Sequence, residues 1–341
     1  MRDKSSATDV RRSVLSPSGT GPRRARAGAG SRWSRLRGLS STATIGGDPA
    51  RTGAVPSRAG LWWGLVGVAA FSFTVPFTKI AVGGMSPLLI GAGRAVVAAG
   101  LAAAVLAATR QRRPVGSQWL RLGVVAAGVV IGFPFLTSFA LTATEANHGA
   151  VVIALLPAAT AVAAVLRTRE RPRPAFWVTA GIGALAAIAF AALQNGGLTG
   201  LRWPDLLLFG AVAAAAVGYA EGGLLARELG SWQTISWALV LAAPLTVPVT
   251  AVALAARPPQ AAPVEWAAFA YLAAVSMFLG FFAWYRGLAI GPIPQVSQIQ
   301  LVQPVMTITW AALLLGEQVT WLTAAGGLAV VACTGLAVRR R

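Results

Sequence analysis

From Leu61 onward, apolar runs of similar length follow one another with short breaks: 61–82, 87–108, 119–141, 148–166, 175–193, 204–225, 232–255, 265–285, 292–314 and 319–337. Each is near the ~20 residues an α-helix needs to cross a bilayer core. No other feature constrains the chain so tightly. Backbone polar groups in lipid must pair within their own segment, so only a helical bundle fits these runs. The expected fold is an all-α polytopic membrane protein with ten transmembrane helices. The breaks hold helix-stopping residues: Gly83-Gly84, Arg112-Arg113-Pro114, Arg171-Pro172, Asn195-Gly196-Gly197, Pro258-Pro259 and Gly291-Pro292. Nine of the twelve tryptophans lie within a few residues of an expected helix end, as an interfacial belt requires.

Composition agrees. Only 11% of the residues are charged, against about 25% in a soluble domain. The net charge is +19, from 29 Lys plus Arg against 10 Asp plus Glu. So basic a chain raises the question of nucleic acid, but the placement of the charge argues against it. Residues 1–59 hold 12 basic residues, with Asp3, Asp9 and Asp48 the acids there, and most of the others sit between apolar runs. The 1–59 stretch has almost no long apolar residue and is expected to be a disordered basic tail. It also lacks the apolar stretch of a secretory signal. It could be dispensable, or it could rest on anionic lipid.

Basic loop residues set the orientation. Loops after even-numbered helices hold Arg110, Arg112, Arg113 and Arg121, then Arg167, Arg169, Arg171 and Arg173, then Arg227, Arg286 and Arg339 to Arg341. Loops after odd-numbered helices hold only Lys79, Arg202 and Arg257. By the positive-inside rule both termini are cytoplasmic, which implies a multi-pass protein of the inner (plasma) membrane.

The chain also echoes itself. A shift of 147 residues puts Leu141 on Leu288, Pro157 on Pro304 and Glu170 on Glu317. After three extra residues in the first copy, a shift of 144 puts Trp177 on Trp321, Thr179 on Thr323 and Gly183 on Gly327. Two five-helix repeats result, over 60–195 and 200–338. Five is odd, so the second repeat crosses the membrane in the opposite sense. Inverted repeats of this kind are typical of secondary transporters that work by alternating access.

With these features, residues 60–338 resemble the EamA-type transporters of the drug/metabolite transporter superfamily. The marks are Trp63 to Lys79, Ser86-Pro87 followed by Arg94, proline-bearing helices four and nine, and Leu315-Gly316-Glu317 before helix ten. In the first copy Leu-Gly-Glu is degraded to Thr168-Arg169-Glu170. The resemblance implies a gradient-coupled carrier, with a proton as the expected ion. It further implies small polar metabolites as cargo, amino acids or related compounds, often in the direction of efflux.

Polar groups at membrane depth are the candidates for the work. Arg94 could bond backbone carbonyls or hold a substrate carboxylate. It should not pair directly with Glu221, which lies at a different depth. Glu221 could carry the coupling proton or reach the interface beside Arg227. Lys79 is expected to snorkel, and His148 to line the external mouth or sit at the interface. Thr74, Tyr219 and Tyr285 are substrate candidates, with helix packing the alternative for the tyrosines. Gln295, Gln298, Gln300 and Gln303 share one broad face of the ninth helix, which is expected to be a cavity wall. Interhelical hydrogen bonding is the alternative there. Pro76, Pro157 and Pro304 are expected to kink their helices, and Pro304 should strip the Gln300 carbonyl of its helical donor.

Other classes fare poorly. No phosphate-binding P-loop and no G-x-S-x-G elbow is present. With one His and one Cys, metal sites built on several of either are excluded, and no cofactor is expected. A passive channel or an enzyme without a recognisable motif remains as the alternative. Gly128 and Gly132 allow close helix packing, within one chain or between chains, and leave the oligomeric state open.

Overall fold

The computed structural model describes residues 58–169, 174–194, 202–291, 296 and 299–339. The tail up to residue 57, Glu170, Gln295 and Gln298 lie outside the described residues. Ten helical segments run through the rest. Seven are long and apolar enough to span a membrane: α1 (Ala59–Ala81), α2 (Leu89–Ala108), α3 (Gln118–Ala140), α4 (Ala146–Thr168), α6 (Trp203–Leu229), α7 (Ser231–Ala256) and α8 (Pro263–Ile290). The other three are α5 (Pro174–Gln194), α9 (Gln300–Leu315) and α10 (Trp321–Arg339). Shorter apolar helical stretches lie within them, at Gly181–Phe190, Gln300–Leu315 and Trp321–Cys333. The expectation of ten spans is thus met at seven by length and composition. The outer faces carry large exposed apolar side chains such as Leu120, Leu313, Trp321 and Leu328. That is the surface of a multi-pass membrane protein.

The principal packing partners are α1 with α8, α3 with α6, α4 with α6, α1 with α9, α2 with α7, α4 with α9 and α5 with α10. Gly128 and Gly132 belong to the α3–α6 contact. A Cβ at Gly132 would fall 2.8 Å from that of Ala214, and one at Gly128 would strike the Ala214 carbonyl oxygen. Their close packing is therefore within the chain.

Few of these helices are regular. α1 breaks at Phe73, between Arg58–Ser72 and Thr74–Ala81. α4 breaks at Ala154 and Leu155, just before Pro157, and α9 opens with a 3₁₀ turn, Gln300–Val302, just before Pro304. Wider π turns occupy Leu89–Gly93 in α2, Ala126–Gly132 in α3 and Leu272–Leu279 in α8. Each π turn re-aims the residues that follow it. The breaks of α1, α4 and α9 lie within four residues before Pro76, Pro157 and Pro304, and one expectation is corrected. The Gln300 carbonyl keeps a donor, because the 3₁₀ turn brings the Gln303 N–H to it. Pro76 is different. It leaves the Ser72 carbonyl free, and the Thr307 hydroxyl of α9 donates to that oxygen at 2.9 Å.

The ends are closed by side chains. The Arg202 N–H donates to Asp205 Oδ2 at 2.8 Å at the start of α6. Glu317, just past α9, accepts from the N–H groups of Ala146 and Asn147, both at 2.8 Å, and so caps α4. Lys79 does not snorkel freely, because Nζ donates to the carbonyls of Leu141 at 3.1 Å and Thr144 at 2.7 Å, beyond the end of α3. The reason is a helix end whose orphan carbonyls lie within reach of a long cation.

Candidate functional site

The irregular turns meet around one cavity. Its wall includes Phe71, Thr74 and Val75 beside the break in α1, and Val129, Phe133 and Pro134 around the π turn of α3. Leu156 and Gln303 come from the breaks of α4 and α9, and Ser276 and Met277 from the π turn of α8. Arg94, Ala215, Tyr219 and Phe281 complete it. Its internal volume is about 30 Å³, room for one or two water molecules. A second cavity of about 10 Å³ adjoins it between α4 and α9, with Val75, Leu156 and Gln303 in both walls. Gln300 and Thr307 line the second one.

The polar groups here fall into two kinds. Thr74 Oγ1 and Ser276 Oγ satisfy each other at 2.7 Å. Arg94 is 1% exposed, and its Nε and Nη2 have no partner among the described residues. The same holds for Gln303 Oε1 and for both amide atoms of Gln300. Among the described residues, no backbone carbonyl accepts from Arg94 Nε or Nη2. Buried polar groups without partners are costly, and these three cluster at the two cavities. Below them Phe71, Phe281 and Tyr219 form an aromatic floor, with Phe71 and Phe281 centroids 4.8 Å apart.

Of the residues expected to meet substrate, the structure brings Thr74, Arg94, Tyr219 and Gln303 together, with Gln300 next door. It places others elsewhere. His148 is not at a mouth. It is 6% exposed, 2.6 Å from Asp205 Oδ1 through Nε2, and stacked on Phe190. The N-terminus of α4 is enclosed by its neighbours, so its side chains face helices rather than water. Tyr285 packs over Gly222, where its ring fills the space a Cβ would need, and its hydroxyl donates to the Gly218 carbonyl at 3.4 Å. Glu221 is paired neither with Arg94 nor with Arg227. Its two oxygens meet Arg121 from α3 and Arg167 from α4, while Arg227 reaches the Leu288 carbonyl at 3.5 Å. Glu221 lies about two turns before the end of α6 at Leu229, and the α3 and α4 arginines converge on it.

Sequence reasoning passed over Ser276, Phe71 and Phe281, which read as ordinary apolar-run residues. It also passed over Asp205, whose signal was available: an acid directly after Trp203-Pro204, three residues past the N-cap Arg202.

A helical membrane bundle with a polar core at its helix breaks suits a carrier. Residues 58–192 and, separately, 202–339 match the EamA-like transporter family. The chain belongs to this family. The uncharacterized transporter YdeK of Bacillus subtilis (strain 168) is 42% identical over 284 residues, 81% of this chain and 96% of YdeK. A solved crystal structure at 18% identity covers 82% of this EamA-family chain and 96% of its own, with a TM-score of 0.57. That likeness is one of fold.

Proposed function

We propose that this EamA-family transporter is a secondary carrier of small polar metabolites, amino acids or related compounds, moved out of the cell by alternating access. Ten spans form two inverted five-helix repeats, with both termini cytoplasmic in the inner membrane. The substrate site is the cavity at Arg94, Thr74, Tyr219 and Gln303, continued past Gln300 toward Gln295 and Gln298. A proton is the coupling ion, with Glu221 its candidate carrier once the pairing with Arg121 and Arg167 opens.

One observation carries this reading: the cavity wall pairs positions related by the internal repeat. The 147-residue shift places Val129 on Ser276, Pro134 on Phe281 and Leu156 on Gln303, and all six line the cavity. The same shift lays the π turn of α3 over that of α8, and the break of α4 over the 3₁₀ turn of α9. The helix contacts support it as well. Exchanging each helix with the one five places on turns α1–α8 into α6–α3 and α4–α6 into α9–α1, and returns α2–α7, α4–α9 and α5–α10 to themselves. A cavity on such an axis can open to either side by rocking one half against the other.

The narrow volume fits an occluded conformation, so substrate entry requires the walls to move. Counterflow in proteoliposomes tests the reading. Uptake of labelled amino acid should be accelerated by the same compound preloaded inside. Ohmic current without counterflow would instead mean a channel.

A further inference from the structure

Arg94 presents a chemical problem that the surrounding protein does not solve. Its guanidinium is buried, Nε and Nη2 have no partner among the described residues, and no Asp or Glu lines the cavity it faces. The acids in the described helices are engaged elsewhere: Asp205 with His148, Glu221 with Arg121 and Arg167, Glu228 with Arg121, and Glu265 with the Ala262 N–H, while Glu317, past the end of α9, caps the start of α4. A cation at membrane depth is retained only where it is paired or functional. The missing partner is a planar anion, and the fork of a guanidinium matches a carboxylate.

Resting on the carrier reading above, we infer that the cargo is a monocarboxylate with an apolar or aromatic body, and that an α-amino group is not required for recognition. Arg94 takes the carboxylate. One cation without a neutralising acid sets the charge of the ligand at minus one. The Gln303 amide and the Thr74–Ser276 hydroxyl pair serve a neutral polar group. Phe71, Tyr219 and Phe281 form the wall for the body. An ammonium group would find no carboxylate in the cavity, so it adds nothing essential.

The test separates charge from shape. Purified full-length protein is heated with 3-phenylpropionate, phenethylamine, L-phenylalanine or acetate at millimolar concentration, and counterflow of the same compounds is measured in proteoliposomes. A ligand that binds only the folded state raises the unfolding temperature. We expect 3-phenylpropionate to stabilise at least as well as phenylalanine, and phenethylamine to have no effect. Arg94→Gln should weaken the acid by about ten- to hundred-fold, the scale of a charged hydrogen-bonded contact. Arg94→Lys should retain part of the binding.

Arg94→Gln should fold at least as well as wild type without ligand, since it removes an uncompensated buried charge. Its unfolding on preparation would make Arg94 structural and overturn the inference. So would stabilisation by phenethylamine equal to that by the acid, an unchanged acid response in Arg94→Gln, or no response to any carboxylate. In each of those cases counterflow of an amine or an uncharged solute leaves the carrier reading standing. Arg94-dependent acid binding without any counterflow would remove the carrier reading and keep the site.

Discussion

The interfaces of α4 with α6 and of α9 with α1 exchange under the internal repeat, yet they are fastened differently. The α4–α6 interface is held by ionisable side chains at its two ends. His148 meets Asp205 at one end, and Arg167 meets Glu221 at the other, with Arg121 of α3 joining in. The α9–α1 interface is held near the α1 break by neutral groups. Thr307 donates to the Ser72 carbonyl, Trp310 Nε1 donates to Ser72 Oγ at 3.0 Å, and Phe73 stacks on Trp310 at 4.5 Å. Charges are tolerable near helix ends, where headgroups and water can reach them, and costly in mid-span. Neutral hydroxyl and indole donors carry no such penalty. In the alternating-access reading, the Arg167–Glu221 fastener, with half of the Arg167 side chain exposed, is the one that solvent can help to release.

The largest effect should come from cutting the charged fastener. Glu221→Gln leaves Arg167 without its counter-charge and Arg121 with Glu228 alone. The carboxylate side chain is 5% exposed, but that of Arg167 is 50% exposed. The cost should therefore fall near the lower end of the range for breaking a buried pair, about 3 kcal/mol. Thermal unfolding in detergent measures it. Adding Arg121→Met should recover part of the loss. An unchanged unfolding temperature in the single variant would mean that α4 and α6 are held by packing alone.

A smaller effect is expected at the cavity the two interfaces share. Gln303→Leu keeps the bulk but removes the amide, and its repeat partner Leu156 shows that leucine is accommodated at the equivalent place. Membrane abundance should stay normal, while apparent affinity in counterflow falls about ten-fold, or about 1.4 kcal/mol. Wild-type affinity would place that face against packing only. Lost abundance would point to a structural hydrogen bond, and the site assignment would be withdrawn.

These two residues mark the limits of the sequence. Helix positions were legible because apolar runs of spanning length have one solution in lipid, and Gln303 stood out as an amide inside an apolar run, which must face protein or water. The partners of Glu221 were not, since Arg121 and Arg167 lie 100 and 54 residues away in the chain. His148 was misplaced for the same reason. A histidine at a helix start looks interfacial until Asp205 and Phe190 are seen to enclose it. The π turns were invisible because Ala126–Gly132 and Leu272–Leu279 carry no residue that marks them. Glu317 stood out as a motif, but its role as the cap of α4 exists only in three dimensions.

The neutral fastener can be loosened by Thr307→Val, which keeps the shape and removes the donor to the Ser72 carbonyl. That oxygen has lost its helical donor to Pro76, so the variant leaves it unpaired in a buried place. The expected cost is about 1 kcal/mol in thermal unfolding. No change would show that the Ser72 carbonyl finds another donor, and that the Trp310 contacts suffice to join α9 to α1.

The smallest effect lies where the two copies end. Arg169 and Gly316 close α4 and α9 at repeat-equivalent positions, and both are left-handed, with φ of 56° and 67°. Glycine adopts that region without strain, whereas a side chain pays for contact between its Cβ and the backbone. Both positions are exposed, and a Cβ at Gly316 would meet nothing within 4 Å. The conformational term is thus isolated from packing. Arg169→Gly should stabilise the protein by about 0.5 kcal/mol, less than the full αL penalty because glycine also loosens the unfolded chain. Gly316→Ala should destabilise it by about 1 kcal/mol. Thermal unfolding of the two variants side by side measures both. If both shifts have the same sign, the left-handed cap is not the shared feature of the two ends, and the degraded Thr168-Arg169-Glu170 copy has taken a different turn from Leu315-Gly316-Glu317.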